Sequence, residues 1–394
     1  MKTAQLFFFT LFLILLMACS QTSSEFSITG HIEGVQDGDI VMLHKVEGRV
    51  GKLFMQDTIR NGRFSFKGEE DSLQNIKLTP MGEKYPLVYI DIWIGPGSKT
   101  RITGNGYYPS SWRVQSKVKE QQEAEIYRDA TRHLSVISDS LRWVYYREGD
   151  KIQKAGSDEE KLKQREVARA IRQQLDSINF IEQRIIFDVM AGRPVTEQWI
   201  DRLEVYAMIS STFRSLSSYP EENMQQLYEL YNHLSEEQKQ TKKGELIYSY
   251  LFPVEKVGEG DLMAEGNFFD PDGNEHRITD YTNKGKYILL DFWGVGCGPC
   301  IAAFPEMKKI HESHSDKLTI IGISVDSHSV WMEGLEKHSL PWLNLNDFLE
   351  YGGYASFYGV HAIPFYVLIS PDGIIGKIWM GYRKGMFEEI VKTI

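Results

Sequence analysis

Cys297 and Cys300 stand three residues apart around Gly298-Pro299, and this pair is best equipped for chemistry in the 394-residue chain. An apolar run, Tyr287 to Phe292, broken by the single acid Asp291, precedes them, and Pro299 to His314 follows as a predicted helix. A helix start carries unpaired N–H groups and roughly half a positive charge, which favours a thiolate over a thiol there. Cys297 is therefore expected to ionise readily, its pKa lowered from about 8.5 toward about 7. Cys300, one turn further on, faces the same side and can attack a mixed disulfide formed at Cys297. Pro299 suits a helix start, where its missing N–H costs little. Gly298 lets another chain approach closely, so both intervening residues are expected to touch substrate. The chemistry this arrangement offers is thiol–disulfide exchange, with the dithiol as the redox group and no separate cofactor or metal.

Other uses of such a pair are open to the same residues. A two-residue spacing is half of a zinc site. No second cysteine pair exists, however, and His311 and His314 fall well downstream, where they are expected to face solvent. A peroxide-reducing protein would want a lone activated cysteine, and a permanent structural disulfide would leave the pair inert.

The elements needed to position the pair follow from the pattern beyond about Gly260. Pro271-Asp272-Gly273 turns a hairpin, Leu318 to Val325 is a buried strand, and Ser327 to His338 and Phe348 to Tyr358 are predicted helices. Phe365 to Ile369 and Ile374 to Met380 flank the Ser370-Pro371-Asp372-Gly373 turn as an antiparallel pair, and Phe387 to Ile394 closes with a helix. Strands alternating with helices imply a central sheet covered on both faces.

Upstream, the composition changes twice. Phe26 to about Gly106 is strand-like, with Asn61-Gly62 as a hairpin signal between Ile59 and Phe64, a turn at Gly95-Pro96-Gly97, and an apolar, aromatic run from Leu87 to Ile94. Ser110–Arg147 and Ser157–Ala191 contain neither glycine nor proline and are predicted as two long antiparallel helices separated at Gly149 to Gly156. Their apolar faces are read as Leu134, Ile137, Leu141 and Val144, and as Ile171, Leu175, Ile178, Ile181 and Ile185. Ser157 with Glu160, and Ser235 with Gln238, form capping boxes, the second opening a helix over 235–251; shorter helices are expected at 196–212 and 221–234. The fold class is thus multidomain α+β and α/β: an antiparallel β-sandwich over 25–107, a helical region over 110–255 and a third domain over 262–394. The helices carry no clustered chemistry, so they serve as a spacer or as a partner-binding module.

The remaining cysteine belongs to a different job. Lys2, an apolar run from Leu6 to Met17 and then Ala18-Cys19-Ser20 make an export signal over 1–19. Twelve residues reach about 18 Å as a helix, short of a bilayer core of roughly 30 Å. Leu16-Met17-Ala18-Cys19 resembles a bacterial lipoprotein cleavage box, which would leave Cys19 lipidated and the chain tethered in a Gram-negative envelope, facing the periplasm. The chain has 44 basic and 54 acidic side chains, a net charge of −10 with no basic block, which argues against a nucleic-acid partner.

Asp291-Phe292-Trp293, then Cys297-Gly298-Pro299-Cys300, then Ala362-Ile363-Pro364 before a strand, resemble the thioredoxin fold. Within it, residues 262–394 are most similar to the TlpA/ResA-like thiol–disulfide oxidoreductases, given the hairpin at Asp272-Gly273 and the additional helix and strand between Val325 and Phe348. The β-rich segment resembles the domain of unknown function often found ahead of such domains in envelope lipoproteins. The resemblance implies that Cys297 is the nucleophile, Cys300 the resolving thiol, and Asp291 the buried acid assisting proton transfer from Cys300. A desolvated carboxylate should titrate high enough for that task; pairing with a lysine would instead make it structural. The resemblance also makes Trp293 the packing under the active-site helix, Pro364 a cis-proline against the dithiol, and Ile363 the residue whose backbone pairs with the incoming peptide. Gly296, Ile301 and Phe365 depart from the usual tryptophan, lysine and small polar residue.

Gly298-Pro299 resembles reducing thioredoxins, near about −270 mV, more than strong oxidants near about −120 mV. The resemblance therefore implies a reductase of exported protein disulfides, apocytochrome c among them, re-reduced by a membrane electron donor of the DsbD/CcdA type. Two other readings stand beside it: an envelope binding or scaffold lipoprotein with an accessory redox domain, and a thiol peroxidase-like antioxidant protein.

Overall fold

A computed structural model describes residues 24–47, 50–215, 218–252 and 254–394. The export signal over 1–19 and the lipidation site Cys19 lie outside them. The chain divides into two compact units, one drawn from the residues up to Lys45 and Leu53–Leu175, the other from Val46–Lys52 and Asp176–Ile394.

The first unit begins with eight strands: β1 (Glu25–Glu33), β2 (Ile40–Glu47), β3 (Val50–Thr58), β4 (Arg63–Glu69), β5 (Gln74–Met81), β6 (Ile90–Ile94), β7 (Lys99–Asn105) and β8 (Arg113–Ser116). They form two four-stranded sheets, in the orders β4-β1-β7-β8 and β3-β2-β5-β6. Alternate residues of both sheets, among them Phe26, Ile28, Leu43, Ile76, Ile92 and Ile102, fill one apolar core. The expected antiparallel sandwich is corrected in one pairing: β1 runs parallel to β7, Ser27 to Glu33 against Lys99 to Asn105. The chain reaches β7 only after crossing the opposite sheet, which is the long connection that parallel pairing demands. Asn61 and Gly62 hold φ of 50° and 69° and close a turn between Arg60 and Arg63, yet β3 and β4 lie in different sheets. The turn is therefore a corner between layers, not a hairpin within one. The strand expected from Leu87 begins only at Ile90, and Leu87 and Tyr89 are exposed.

The first long helix also departs from expectation. Residues 109–111 make a 3-10 turn and β8 extends the first sheet, so α1 spans Lys119–Lys154 and runs through Gly149. The backbone at 110–112 does not need helical partners, because Arg132 donates to the carbonyls of Ser110 and Trp112, both at 2.8 Å. The buried face of α1 is largely polar, with Gln121, Thr131, Ser138 and Asp139, whereas Ile137 of the expected apolar stripe is exposed. Gln121 shows why: it accepts from Trp93 N at 2.9 Å and donates to Asp91 O at 3.2 Å, completing the edge of β6.

Helices α2 (Asp158–Ala191), α3 (Glu197–Ser215), α4 (Glu221–Asn232), α5 (Glu236–Lys239) and α6 (Lys242–Leu251) follow. Within the second unit the tail of α2 packs through Ile186, Phe187 and Met190, while Ile181 is exposed. Ser235 and Gln238 make the expected capping box, but the helix it opens lasts one turn. Thr241 starts α6 as a fresh cap, and a β-carbon on Gly244 would lie 2.2 Å from Gln238 O, so the two short helices close tightly on each other.

The C-terminal part supplies the sheet that carries the dithiol. It contains the hairpin β9 (Asn267–Phe269) and β10 (Glu275–Arg277), then β11 (Tyr287–Trp293), α7 (Gly298–Ser313), β12 (Leu318–Ser324), α8 (His328–His338), β13 (Leu343–Leu345), α9 (Tyr354–Phe357), β14 (Phe365–Ile369), β15 (Ile375–Met380) and α10 (Met386–Val391). The order is β13-β12-β11-β14-β15, with β11, β12 and β13 parallel and β14 and β15 antiparallel. Ile288, Leu290 and Phe292 enter the core on one face; Leu289 and Trp293 enter the core on the other. The helix expected over 348–358 is reduced to α9. Asp347 instead accepts from Leu349 N at 3.0 Å and Tyr354 N at 2.5 Å, folding the intervening segment into turns with Phe348 and Glu350 at positive φ. Among the described residues no helix is long and apolar enough to cross a membrane.

Candidate active site

Strand β11 ends at Trp293, and a four-residue turn delivers Cys297 as the N-cap of α7. The two sulfurs are joined, with S–S at 2.00 Å and Cα–Cα at 5.2 Å. Cys297 Sγ accepts from Cys300 N at 3.1 Å, so one of the otherwise unpaired N–H groups of the helix start points directly at the sulfur expected to become a thiolate. Cys297 is 9% exposed and Cys300 fully buried, which makes the first sulfur the one an incoming group can reach. Gly298 and Pro299 are exposed beside it, and nothing lies within 4 Å of a β-carbon placed on Gly298.

The loop opposite brings the expected docking residues to this edge. The Ile363–Pro364 bond is cis. Ile363 is half-buried, and a β-carbon on Gly294 would stand 3.1 Å from its Cδ1, so the cis-proline loop and the turn before the dithiol are in contact. Trp293 is completely buried in the same cluster as both cysteines and meets Phe304 of α7 edge-on at 5.6 Å. It supports the helix from below and has no surface to offer a substrate.

Asp291 lies on the same strand and, by alternation, on the same face as Trp293. It is completely buried, neither carboxylate oxygen has a hydrogen-bond partner, and burial pushes its carboxyl up to about 8. The position opposite on β12 is Gly322, and among the described residues no lysine pairs with Asp291, whose shift has burial as its cause. On its other side stands Tyr366 of β14, also buried, whose hydroxyl burial and the neighbouring Asp291 push up. Two further residues, which no local sequence pattern marks, complete the site. Asp326, just past β12, accepts from Val295 N at 2.7 Å and braces the dithiol turn. Asn346, wholly buried, donates to Asp326 O at 2.9 Å. The signal available for Asp326 was its place at the carboxyl end of a parallel strand, where such sheets gather functional groups. His311, expected to face solvent, is half-buried against Trp342 at 6.0 Å between rings; His314 closes the end of α7. Among the described residues no group of three or more His, Cys, Asp and Glu is placed to hold a metal.

Comparison with known proteins covers this same region. The profile of the AhpC/TSA family matches residues 260–378. The thiol-disulfide oxidoreductase ResA of Geobacillus thermodenitrificans is 28% identical over 152 residues, covering 35% of this chain and 79% of the relative. ResA of Bacillus subtilis is 29% identical over 141 residues, covering 35% and 76%. Among solved structures, the thioredoxin domain of a thiol-disulfide oxidoreductase from Bacteroides vulgatus covers 35% of this chain and 99% of its own, at 24% identity and a TM-score of 0.32. The C-terminal part of this chain is thus a thioredoxin-like domain that matches the AhpC/TSA profile and is similar to the ResA thiol–disulfide oxidoreductases, with a dithiol capping a helix beside a cis-proline.

Proposed function

We propose that this thiol–disulfide oxidoreductase works as a reductase of disulfides in exported proteins, with Cys297 as nucleophile and Cys300 as resolving thiol. The observation that carries the reading is the asymmetry of the pair: one cysteine slightly exposed and capped by a helix N–H, the other sealed beneath it. In the reduced protein the Cys297 thiolate attacks a client disulfide, forming a mixed disulfide and releasing one client thiolate. Cys300 then gives its proton to Asp291 in the ionised fraction of that acid, which a carboxyl titrating near 8 keeps as a minority at neutral pH, and attacks Cys297, restoring the internal disulfide and expelling the second client thiolate. Asp291 returns the proton to that leaving group. Two electrons and the one proton of Cys300 pass to the client, whose first thiolate takes its proton from solvent, and no cofactor beyond the dithiol is needed.

In this reading Ile363 offers its backbone to the client beside Pro364, Gly298 and Pro299 give clearance, and Trp293 holds the helix in place. Apocytochrome c is a client whose disulfide such an enzyme would open, and a DsbD/CcdA-type membrane protein the donor that re-reduces it. Lipid on Cys19 would tether the chain in the envelope, facing the periplasm.

Cys297→Ala should abolish disulfide reduction, whereas Cys300→Ala should accumulate mixed disulfides visible on non-reducing gels. Reduction surviving in Cys297→Ala would reverse the roles, and faster consumption of hydrogen peroxide than of any protein disulfide would favour the thiol peroxidase reading. Equilibration with glutathione or thioredoxin should give a midpoint potential near about −270 mV; a value above about −150 mV makes the protein an oxidant.

Asp291→Asn tests the buried acid through pH. Because the folded carboxyl titrates near 8 and the unfolded one near 3.8, the native state holds the extra proton between these values. Wild-type stability should therefore fall as pH rises from about 4 to about 8, relative to Asp291→Asn, by on the order of 4 kcal/mol at pH 7. Parallel urea-unfolding curves of the two proteins across that range would refute the raised pKa. Substituting Cys19 by Ser should move the exported protein from the membrane fraction to the soluble one; unchanged fractionation would reject the lipid anchor.

A further inference from the structure

Within the C-terminal unit a cavity of about 830 Å³ opens between residues of α3 and α6 and the turn of the β9–β10 hairpin. This is the size of a site that takes a small ligand or a few residues of a peptide. Its wall is aromatic: Phe269 and Phe348 stack at 5.4 Å between ring centroids, and His328 stands 5.5 Å from Phe348. Phe348 holds φ of 59°, a conformation that bulky side chains rarely adopt. Its backbone is held there by Phe348 N donating to Asn346 Oδ1 at 2.7 Å.

The same hydrogen bonds lead to the dithiol. Asn346 pairs in both directions with the backbone of Phe269, at 2.9 and 3.0 Å, and its side chain donates to Asp326 O. The Asp326 carboxylate accepts from Val295 N, and Gly294 O accepts from Cys297 N at 3.1 Å. Ser327 and His328, which line the cavity, directly follow Asp326. The cavity and the reactive sulfur therefore share one edge of the sheet and one continuous hydrogen-bonded framework.

Charge narrows the occupant. Glu204, Asp272 and Glu350 line the cavity, as do Lys242 and Lys243. Lys243 is already held by Asp201, and Lys242 sits 4.8 Å over the Phe348 ring. Burial raises the Glu204 carboxyl, and the nearby Glu350 charge adds to the rise against the opposing pull of Lys243. Tyr250 donates to Glu350 at 3.3 Å and Asp270 also lines the cavity, so the carboxylates outnumber the lysines and a cationic group entering here would add to their stabilisation, while an apolar side chain would lie against the aromatic wall.

We propose that this cavity is a second binding site for the protein client, seating an apolar side chain on Phe269 and Phe348 and an adjacent arginine or lysine against Glu204 and Glu350. The proposal rests on the reductase reading and gives it a substrate class: disulfides flanked by an apolar–basic pair. A polypeptide is the occupant because one chain can carry the disulfide, the apolar side chain and the basic side chain together.

The test uses the full chain and two synthetic peptides, each closed by one disulfide and identical except for a flanking Phe-Arg or Phe-Glu. The Phe-Arg peptide should show a KM about tenfold lower at similar kcat, the size of one favourable ion pair partly shielded from water. The ratio should shrink in 0.5 M salt and approach one in the Glu204→Gln, Glu350→Gln double variant. Versions with serine in place of cysteine, which cannot be turned over, should bind the full chain with the same preference by calorimetry. Equal KM and equal binding for both peptides, alongside normal reduction of an aromatic small-molecule disulfide, would overturn the cavity and leave the reductase standing. If the wild-type chain reduces none of these disulfides, the reductase reading falls and the client site with it.

Discussion

A carboxylic acid sealed inside a sheet with no partner is the constraint around which the active domain is arranged. Removing Asp291 from water costs several kcal/mol in its charged form. Gly322 and Tyr366 on the neighbouring strands supply no countercharge, so the acid stays protonated near neutrality. A fold keeps such a group only on a strand fixed from both sides. β11 meets that need, hydrogen-bonded to β12 and β14 and packed by apolar cores above and below. The same rigidity aims the turn after Trp293 and hence the sulfur at the helix tip.

The dithiol itself was legible because its signal is local. An apolar strand, a Gly-Pro pair and a helix pattern fix the place of Cys297 within a few residues. The sheet elements around it were legible for the same reason. Asp326 and Asn346 were not, since each earns its role only by meeting backbone brought from another strand. Periodicity misled most on α1, where Gln121 and Asp139 are buried and Ile137 is exposed. Those polar groups satisfy the edge of a strand and the backbone of a 3-10 turn, which a reading of apolar spacing cannot anticipate. The segment after Asp347 failed similarly: carboxylate-to-backbone bonds outcompeted the helix its side chains suggested.

The helices and the dithiol domain are chemically unlike, yet α3 and α6 share a unit with the sheet and lend residues to a cavity beside its reactive edge. Exchange chemistry is generic, since any accessible disulfide can meet a thiolate. Discrimination has to come from surfaces beyond the sulfur, and loops and flanking helices are where a rigid scaffold can place them.

The parallel pairing of β1 with β7 has its own implication for biogenesis. Local hairpins can form as the polypeptide emerges, but this edge of β1 stays unsatisfied until the last long strand of the sandwich has been made. The amino-terminal module must therefore mature late relative to its first residues, with an open strand exposed to stray pairing in the interval. A nascent chain of this kind would gain from a chaperone that shields that edge until β7 arrives.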